Sequence, residues 1–121
     1  MKLGKDGLRH LIASTGYSLA GLRTALRETA FRHELLLGVA HVAALAWLRP
    51  AAWAVVLLSA LYGMVLVVEL LNTALERVVD LASPGYHVLA KEAKDLASAA
   101  VFVSLALYFA AWAAASWLVG F

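Results

Sequence analysis

"PAAWAVVLLSALYGMVLVV", residues 50–68, runs for nineteen residues without a formal charge, and Glu69 follows it at once. A bilayer hydrocarbon core of roughly 30 Å is crossed by about 20 apolar helical residues. The stretch therefore reads as a transmembrane helix whose first polar side chain past the apolar zone is a carboxylate. Composition agrees: of 121 residues, 64% are hydrophobic and 15% charged, with a mean hydropathy of +0.82, whereas soluble domains are typically about 45–50% apolar. The length fits one membrane-embedded domain over residues 1–121. Without cysteine, disulfide frameworks and cysteine-based zinc or nucleophile chemistry are excluded. A net charge of +2 says little about partners until the positions of the charges are considered.

Two further charge-free stretches flank this one, Leu35 to Leu48 and Leu96 to Phe121. The second spans outright. The first is short and contains His41, but a helix starting near Ala30 reaches the required length and brings Arg32 and Glu34 to the headgroups. The expectation is an all-α integral membrane protein with spans of about 30–48, 50–70 and 97–119. Basic residues divide unevenly: Lys2, Lys5, Arg9, Arg23, Arg27 and Arg32 precede the first span, Arg77, Lys91 and Lys94 lie between the second and third, and Arg49 stands alone between the first and second. The positive-inside rule then places the N-terminus and the hairpin at about 77–94 in the cytoplasm. No basic n-region is followed at once by a short apolar run, so no cleavable signal peptide is expected. Pro50 suits the first position of the second helix and Ser83-Pro84-Gly85 its stop, which gives a helix of about 33 residues and about 50 Å. It outruns the bilayer on the cytoplasmic side.

Ahead of the first span, Leu8, Leu11, Ile12, Leu19, Leu22 and Leu26 fall within one stripe of a 3.6-residue helix, with Arg9, His10, Tyr17, Arg23 and Arg27 off it. Residues 6–27 thus read as an amphipathic helix on the membrane surface, the alternative being a cap packed on neighbouring helices. Gly16 and Gly21 each weaken it by about 0.8–1 kcal/mol relative to Ala, so a break near Thr15-Gly16-Tyr17-Ser18 is expected.

At 100° per residue, Asn72 lies about 60° and Glu76 about 20° from Glu69 around the second helix, so the three share a face. Glu28, Lys94, Asp95 and Ser98 reach the same membrane-boundary layer from the other elements. Solvated helix-end charges would also produce Glu76 and Asp80, but a carboxylate bordering the apolar zone is costly and marks function by default. Carboxylates with an amide can hold Mg²⁺, whose shell substrate phosphates and water complete. A nearby lysine neutralises a transferring phosphate, and a partly desolvated carboxylate can take a proton from a hydroxyl. Such a set at a membrane surface suits a reaction between a soluble nucleotide and a lipid alcohol. The chain has neither a phosphate-binding GxxxxGK[ST] loop nor the protein-kinase motifs.

The stretches "GYSLAGLR" (16–23), "ETAFRHE" (28–34), "VELLNTALERVVD" (68–80) and "YHVLAKEAKDLASAAV" (86–101) occur in order, and residues 7–119 resemble the prokaryotic diacylglycerol kinase family. The resemblance implies a homotrimer of three-span chains, each with a surface helix, and active sites between subunits at the cytoplasmic face. It implies ATP as phosphoryl donor and Mg²⁺ as cofactor. Glu69 is then the catalytic base, and Glu28 and Glu76 are the metal ligands. The nucleotide positions are His10, Tyr17, Glu28, Asn72, Glu76, Gly85, Tyr86, His87, Lys94 and Asp95. Ala30, Phe31, Arg32, His33, Glu34, Trp47, Glu69, Ser98, Trp112 and Trp117 match lipid-contacting positions. The chain departs from the family pattern in two places: His10 stands where a basic residue is usual, and the segment from "GYS" to Glu28 is one residue shorter.

His41, mid-span, reads as a satisfied interhelical polar group rather than a ligand. Trp47, Trp53, Trp112 and Trp117 read as an aromatic belt at the outer interface, and the alanines and Ser104 of the third helix suit close packing and oligomers. The expected activity is phosphorylation of diacylglycerol to phosphatidic acid at the inner membrane of a bacterium. Undecaprenol is the alternative lipid, and a small proton-coupled transporter is the alternative of another class. No nucleic-acid partner is expected.

Overall fold

The structure, a computed structural model, describes residues 4–120. Lys2, counted above among the N-terminal cations, and Phe121, the end of the last apolar stretch, lie outside them. The described residues form four helices, α1 (Lys5–Ala25), α2 (Thr29–Leu48), α3 (Ala52–Ala82) and α4 (Val88–Val119), and the last three are long and apolar enough to cross a membrane.

The surface helix α1 is unbroken, contrary to the break expected near Gly16. An isolated glycine costs only about 1 kcal/mol, and the hydroxyls of Thr15 and Ser18 turn back onto the carbonyls of Leu11 and Ser14 within the same helix (2.8 and 3.0 Å). Its leucine stripe is exposed in the single chain, as a helix resting on a bilayer requires. The corner into α2 is held by Arg32, whose guanidinium donates to the carbonyls of Leu26 (3.2 Å) and Arg27 (3.4 Å) and to Thr29 Oγ1 (3.3 Å). These carbonyls are at the end of α1, where a cation satisfies both hydrogen bonding and the helix dipole. Glu28 is the N-cap residue of α2 by backbone but makes no side-chain cap, which leaves its carboxylate free to reach elsewhere.

Between α2 and α3 the turn is three residues, Arg49 to Ala51, with Arg49 in the left-handed region at φ 49°. Pro50 therefore lies in the turn, not at the first helical position expected for it, and α3 starts at Ala52 behind an extended Ala51 whose carbonyl accepts from Val55 N (3.1 Å). The stop at Ser83-Pro84-Gly85 stands as expected. The loop proper is only Ser83 to His87, because both helices run on into the hairpin. His87 caps α4 by accepting from Leu89 N (3.1 Å).

The long helices α3 and α4 pack along each other, and α2 rests on α3. At the Arg49 end the core is Ala54, Leu58 and Ala115, closed by Leu45, Ala111 and Trp112. Midway along, His41 is 5% exposed and satisfied on both ring nitrogens, by Tyr108 Oη (2.5 Å) and Ser59 Oγ (3.1 Å). That is the interhelical role expected of it, since an unpaired polar group in hydrocarbon is expensive. Ser104 bonds within its own helix, to Val101 O (2.7 Å).

Candidate active site at the polar end of the bundle

Glu69 is 3% exposed and Glu34 8% exposed, although each side chain is a carboxylate. They face each other from α3 and α2, close enough for each charge to be felt. One turn further along α3 comes Asn72, whose side chain hydrogen-bonds Glu69 and whose Nδ2 donates to Glu76 Oε1 at 3.4 Å. Both carboxylates draw the NH₂ group, so the amide oxygen is left over: Asn72 Oδ1 is buried without a partner. Glu28 arrives from the α1–α2 corner. Its Oε1 accepts from Arg77 Nη2 at 2.5 Å, and Glu28 and Glu76 both act electrostatically on Glu69. Of the expected residues, Asn72 links Glu69 and Glu76 along one face of α3, and Glu28, held by Arg77, lies within electrostatic range of Glu69 in the same chain.

That donor set fits a hard divalent cation. Glu76 supplies a carboxylate next to Asn72, whose buried amide oxygen is unsatisfied, Glu28 carries a second from the α1–α2 corner, and Mg²⁺ usually takes only one or two protein carboxylates. No three His, Asp or Glu side chains converge as a self-sufficient metal site among the described residues, so the ion would depend on substrate phosphates for the rest of its shell.

The hairpin forms the neighbouring wall. A groove of about 410 Å³ is lined by Ser83, Gly85, Tyr86, His87, Lys94 and Asp95, among others, and so gathers the nucleotide positions expected in this part of the chain. Lys94 crosses to Asp80 Oδ1 on α3 (2.5 Å). The hydrogen bond it donates to the Asp80 carboxylate holds the Lys94 ammonium above the usual lysine range. Lys91 pairs with Asp95 (2.6 Å). Tyr17 and His10 stand exposed on α1.

The lipid-contacting set divides by depth. Ala30, Arg32, His33 and Ser98 are exposed near the polar end, and Phe31 is buried beside them. Trp47 and Trp117 are 86% and 87% exposed near the opposite end, roughly 20 Å along the helix axis from Glu34 and further still from Ser98. Trp53 is also exposed there, whereas Trp112 turns inward with its ring edge on His41 (5.8 Å between centroids). Arg77 and Asp80 are the site residues that motif reasoning passed over. The only signal for them was helical spacing, one residue and four residues after Glu76.

Comparison with known proteins gives a consistent set. The sequence profile of the family described as "Prokaryotic diacylglycerol kinase" matches residues 16–116. The chain is 42% identical to the diacylglycerol kinase of Pseudomonas aeruginosa over 111 residues, 91% of this chain and 90% of that one. It is 41% identical to that of Haemophilus influenzae over 107 residues, 88% and 91% of the two chains. It is 38% identical to that of Escherichia coli K12 over 112 residues, 92% of each.

Proposed function

The chain belongs to the prokaryotic diacylglycerol kinase family, and from this premise we propose that it transfers the γ-phosphoryl group of ATP to the free hydroxyl of diacylglycerol at the cytoplasmic surface of the inner membrane. In the reaction the lipid oxygen–phosphorus bond forms, the bond from the γ-phosphorus to the β,γ-bridging oxygen breaks, and phosphatidic acid and ADP leave. The observation that supports it most is a nearly buried Glu69 at the edge of the apolar zone, within reach of Asn72, Glu76 and Glu28.

Each residue has a task in that reaction. Glu69 accepts the hydroxyl proton, and the side chain of Asn72 holds its carboxylate in place; a positioned base of this kind is typically worth 10²–10⁴-fold in rate. Glu28, Glu76 and Asn72 Oδ1 are the groups that would hold Mg²⁺. When bound, the ion neutralises charge on the nucleotide's phosphates. Lys94, oriented by its ion pair with Asp80, steadies charge developing on the transferred group, and the Gly85–His87 loop with Asp95 receives the nucleotide. Glu34, buried near Glu69, is placed to border the lipid's hydroxyl end. A homotrimer is part of the proposal, since it would cover apolar faces of α3 and α4 that a single chain leaves exposed, Leu71, Phe102 and Leu107 among them.

The names of the relatives favour diacylglycerol over a polyprenol, and carboxylates gathered at one end of the bundle do not resemble the mid-bilayer site of a transporter. The test is purified protein in mixed micelles with radiolabelled ATP and Mg²⁺, offered diacylglycerol and undecaprenol side by side. Label should enter phosphatidic acid. Label in undecaprenyl phosphate alone would reassign the lipid, and none in either would defeat the kinase reading.

A further inference from the structure

The buried polar cluster in the middle of the bundle has no part in the chemistry above, yet it connects to it. Tyr62 lies seven residues from Glu69 on α3, about 10 Å deeper in the membrane. Its ring stacks on His41 at 5.4 Å and 14° between planes, and His41 is itself fixed by Ser59 and Tyr108. The Tyr62 hydroxyl donates to the main-chain carbonyl of Glu34 at 2.7 Å. That close approach depends on Gly38, one helical turn on in α2, where any Cβ would collide with the Tyr62 hydroxyl. The Tyr62 hydroxyl, midway along α3, is thereby seated directly on the α2 backbone at Glu34, whose side chain feels the charge of Glu69.

We propose that Tyr62 is a positioning residue for the phosphotransfer centre: its hydroxyl, seated over Gly38 and bonded to the Glu34 carbonyl, sets the height of α2 against α3 and so the placement of Glu34 opposite Glu69. The proposal rests on the kinase reading above. It explains why a hydroxyl is spent on a carbonyl whose helix already supplies it with an N–H partner, in a region where hydrogen bonds between helices are worth modest amounts. It also gives the stacked His41 a purpose beyond its own satisfaction, since the imidazole limits where the Tyr62 ring can sit.

The experiment compares Tyr62→Phe with Tyr108→Phe in the full-length protein, with phosphatidic acid formation resolved into kcat and KM for lipid and for ATP, and unfolding followed in the same detergent. Each variant keeps its ring and loses the hydroxyl that bonds within the same cluster, but only Tyr62 touches α2 at Glu34. Tyr62→Phe is expected to lower kcat by about three- to tenfold, the scale of a single net hydrogen bond, with KM for ATP unchanged; Tyr108→Phe is expected to keep wild-type kcat at a similar cost in unfolding midpoint. Gly38→Ala, which drives the hydroxyl off the carbonyl, should lower kcat at least as far. Equal kcat in wild type and Tyr62→Phe overturns the proposal, as does an equal fall in both phenylalanine variants, which would mark the cluster as general packing. A wild-type chain inactive on diacylglycerol overturns the kinase reading itself, and an active one separates that failure from failure of the positioning role.

Discussion

Replacing Glu69 with Gln should separate activity from stability in opposite directions. Gln has nearly the volume of Glu and can still hydrogen-bond Asn72, so the packing that leaves residue 69 only 3% exposed is preserved. What it loses is the capacity to take up the hydroxyl proton. A lost general base costs about 10²–10⁴ in kcat, or about 2.7–5.4 kcal/mol of barrier at 1.36 kcal/mol per decade. Stability should move the other way. Glu69 is a buried carboxylate facing Glu34, and Glu28 and Glu76 act on it as well. A neutral amide relieves both the desolvation and the like-charge contacts, so the variant should unfold at a denaturant concentration equal to or above that of the wild type. The assay is phosphatidic acid formation at saturating ATP and lipid, with detergent-resistant unfolding and size exclusion on the same preparation. A variant that keeps more than about a tenth of wild-type kcat would refute the base assignment, since a positioned base supplies at least two decades. A variant that unfolds earlier would refute the view of Glu69 as a functional group held at the expense of stability.

Three further outcomes are expected. Asp80 raises the proton affinity of Lys94, so that pair's contribution is complete below the unfolded lysine pKa of about 10.4 and is lost as pH rises through the higher folded value; Asp80→Asn should move the alkaline limb of kcat/KM for ATP to lower pH, and an unmoved limb argues against Lys94 as a charged contact. Arg77 holds Glu28 in a half-exposed ion pair and competes there with a metal, so Arg77→Ala should lower the Mg²⁺ concentration for half-maximal rate by up to about fivefold, the scale of an exposed pair; a raised requirement would show that Arg77 positions Glu28 instead. His41→Leu removes two hydrogen bonds, each worth about 0.6 and at most about 1.7 kcal/mol in a bilayer, so a loss of about 1–3 kcal/mol is expected in unfolding free energy, and a stabilised variant would show the cluster to be dispensable.

The helices were legible because their apolar runs are long and their ends are punctuated by Pro50, Ser83-Pro84-Gly85 and the charge clusters. The break at Gly16 misread a weak local cost as decisive, when a continuous leucine stripe on one face outweighs it. Pro50 misled in a smaller way: the proline ring fits the three-residue turn that Arg49 begins with a left-handed backbone, and sequence does not announce that turn. Of the site, the Glu69, Asn72 and Glu76 face follows from helical spacing alone. The Glu28–Arg77 contact does not, because it joins residues 49 apart and depends on how the α1–α2 corner is turned. The same holds for Tyr62 on the Glu34 carbonyl, since a tyrosine in an apolar run gives no hint of which main-chain oxygen it will find.

The turn at Arg49 has a mechanical consequence. With three residues between α2 and α3 and none of them glycine, the two helices are tied by the main chain at that end, whereas toward the other they are held by side chains alone, Tyr62 on the Glu34 carbonyl and Arg77 on Glu28 among them. From Arg49 to Glu34 is fifteen residues, a lever of roughly 22 Å. A tilt of about 3° about such a hinge swings the far end by roughly 1.2 Å, and a misplacement of about 1 Å can cost on the order of a hundredfold in rate. Substitutions near the hinge, in contact with neither nucleotide nor lipid, can therefore throttle turnover as severely as changes among the carboxylates.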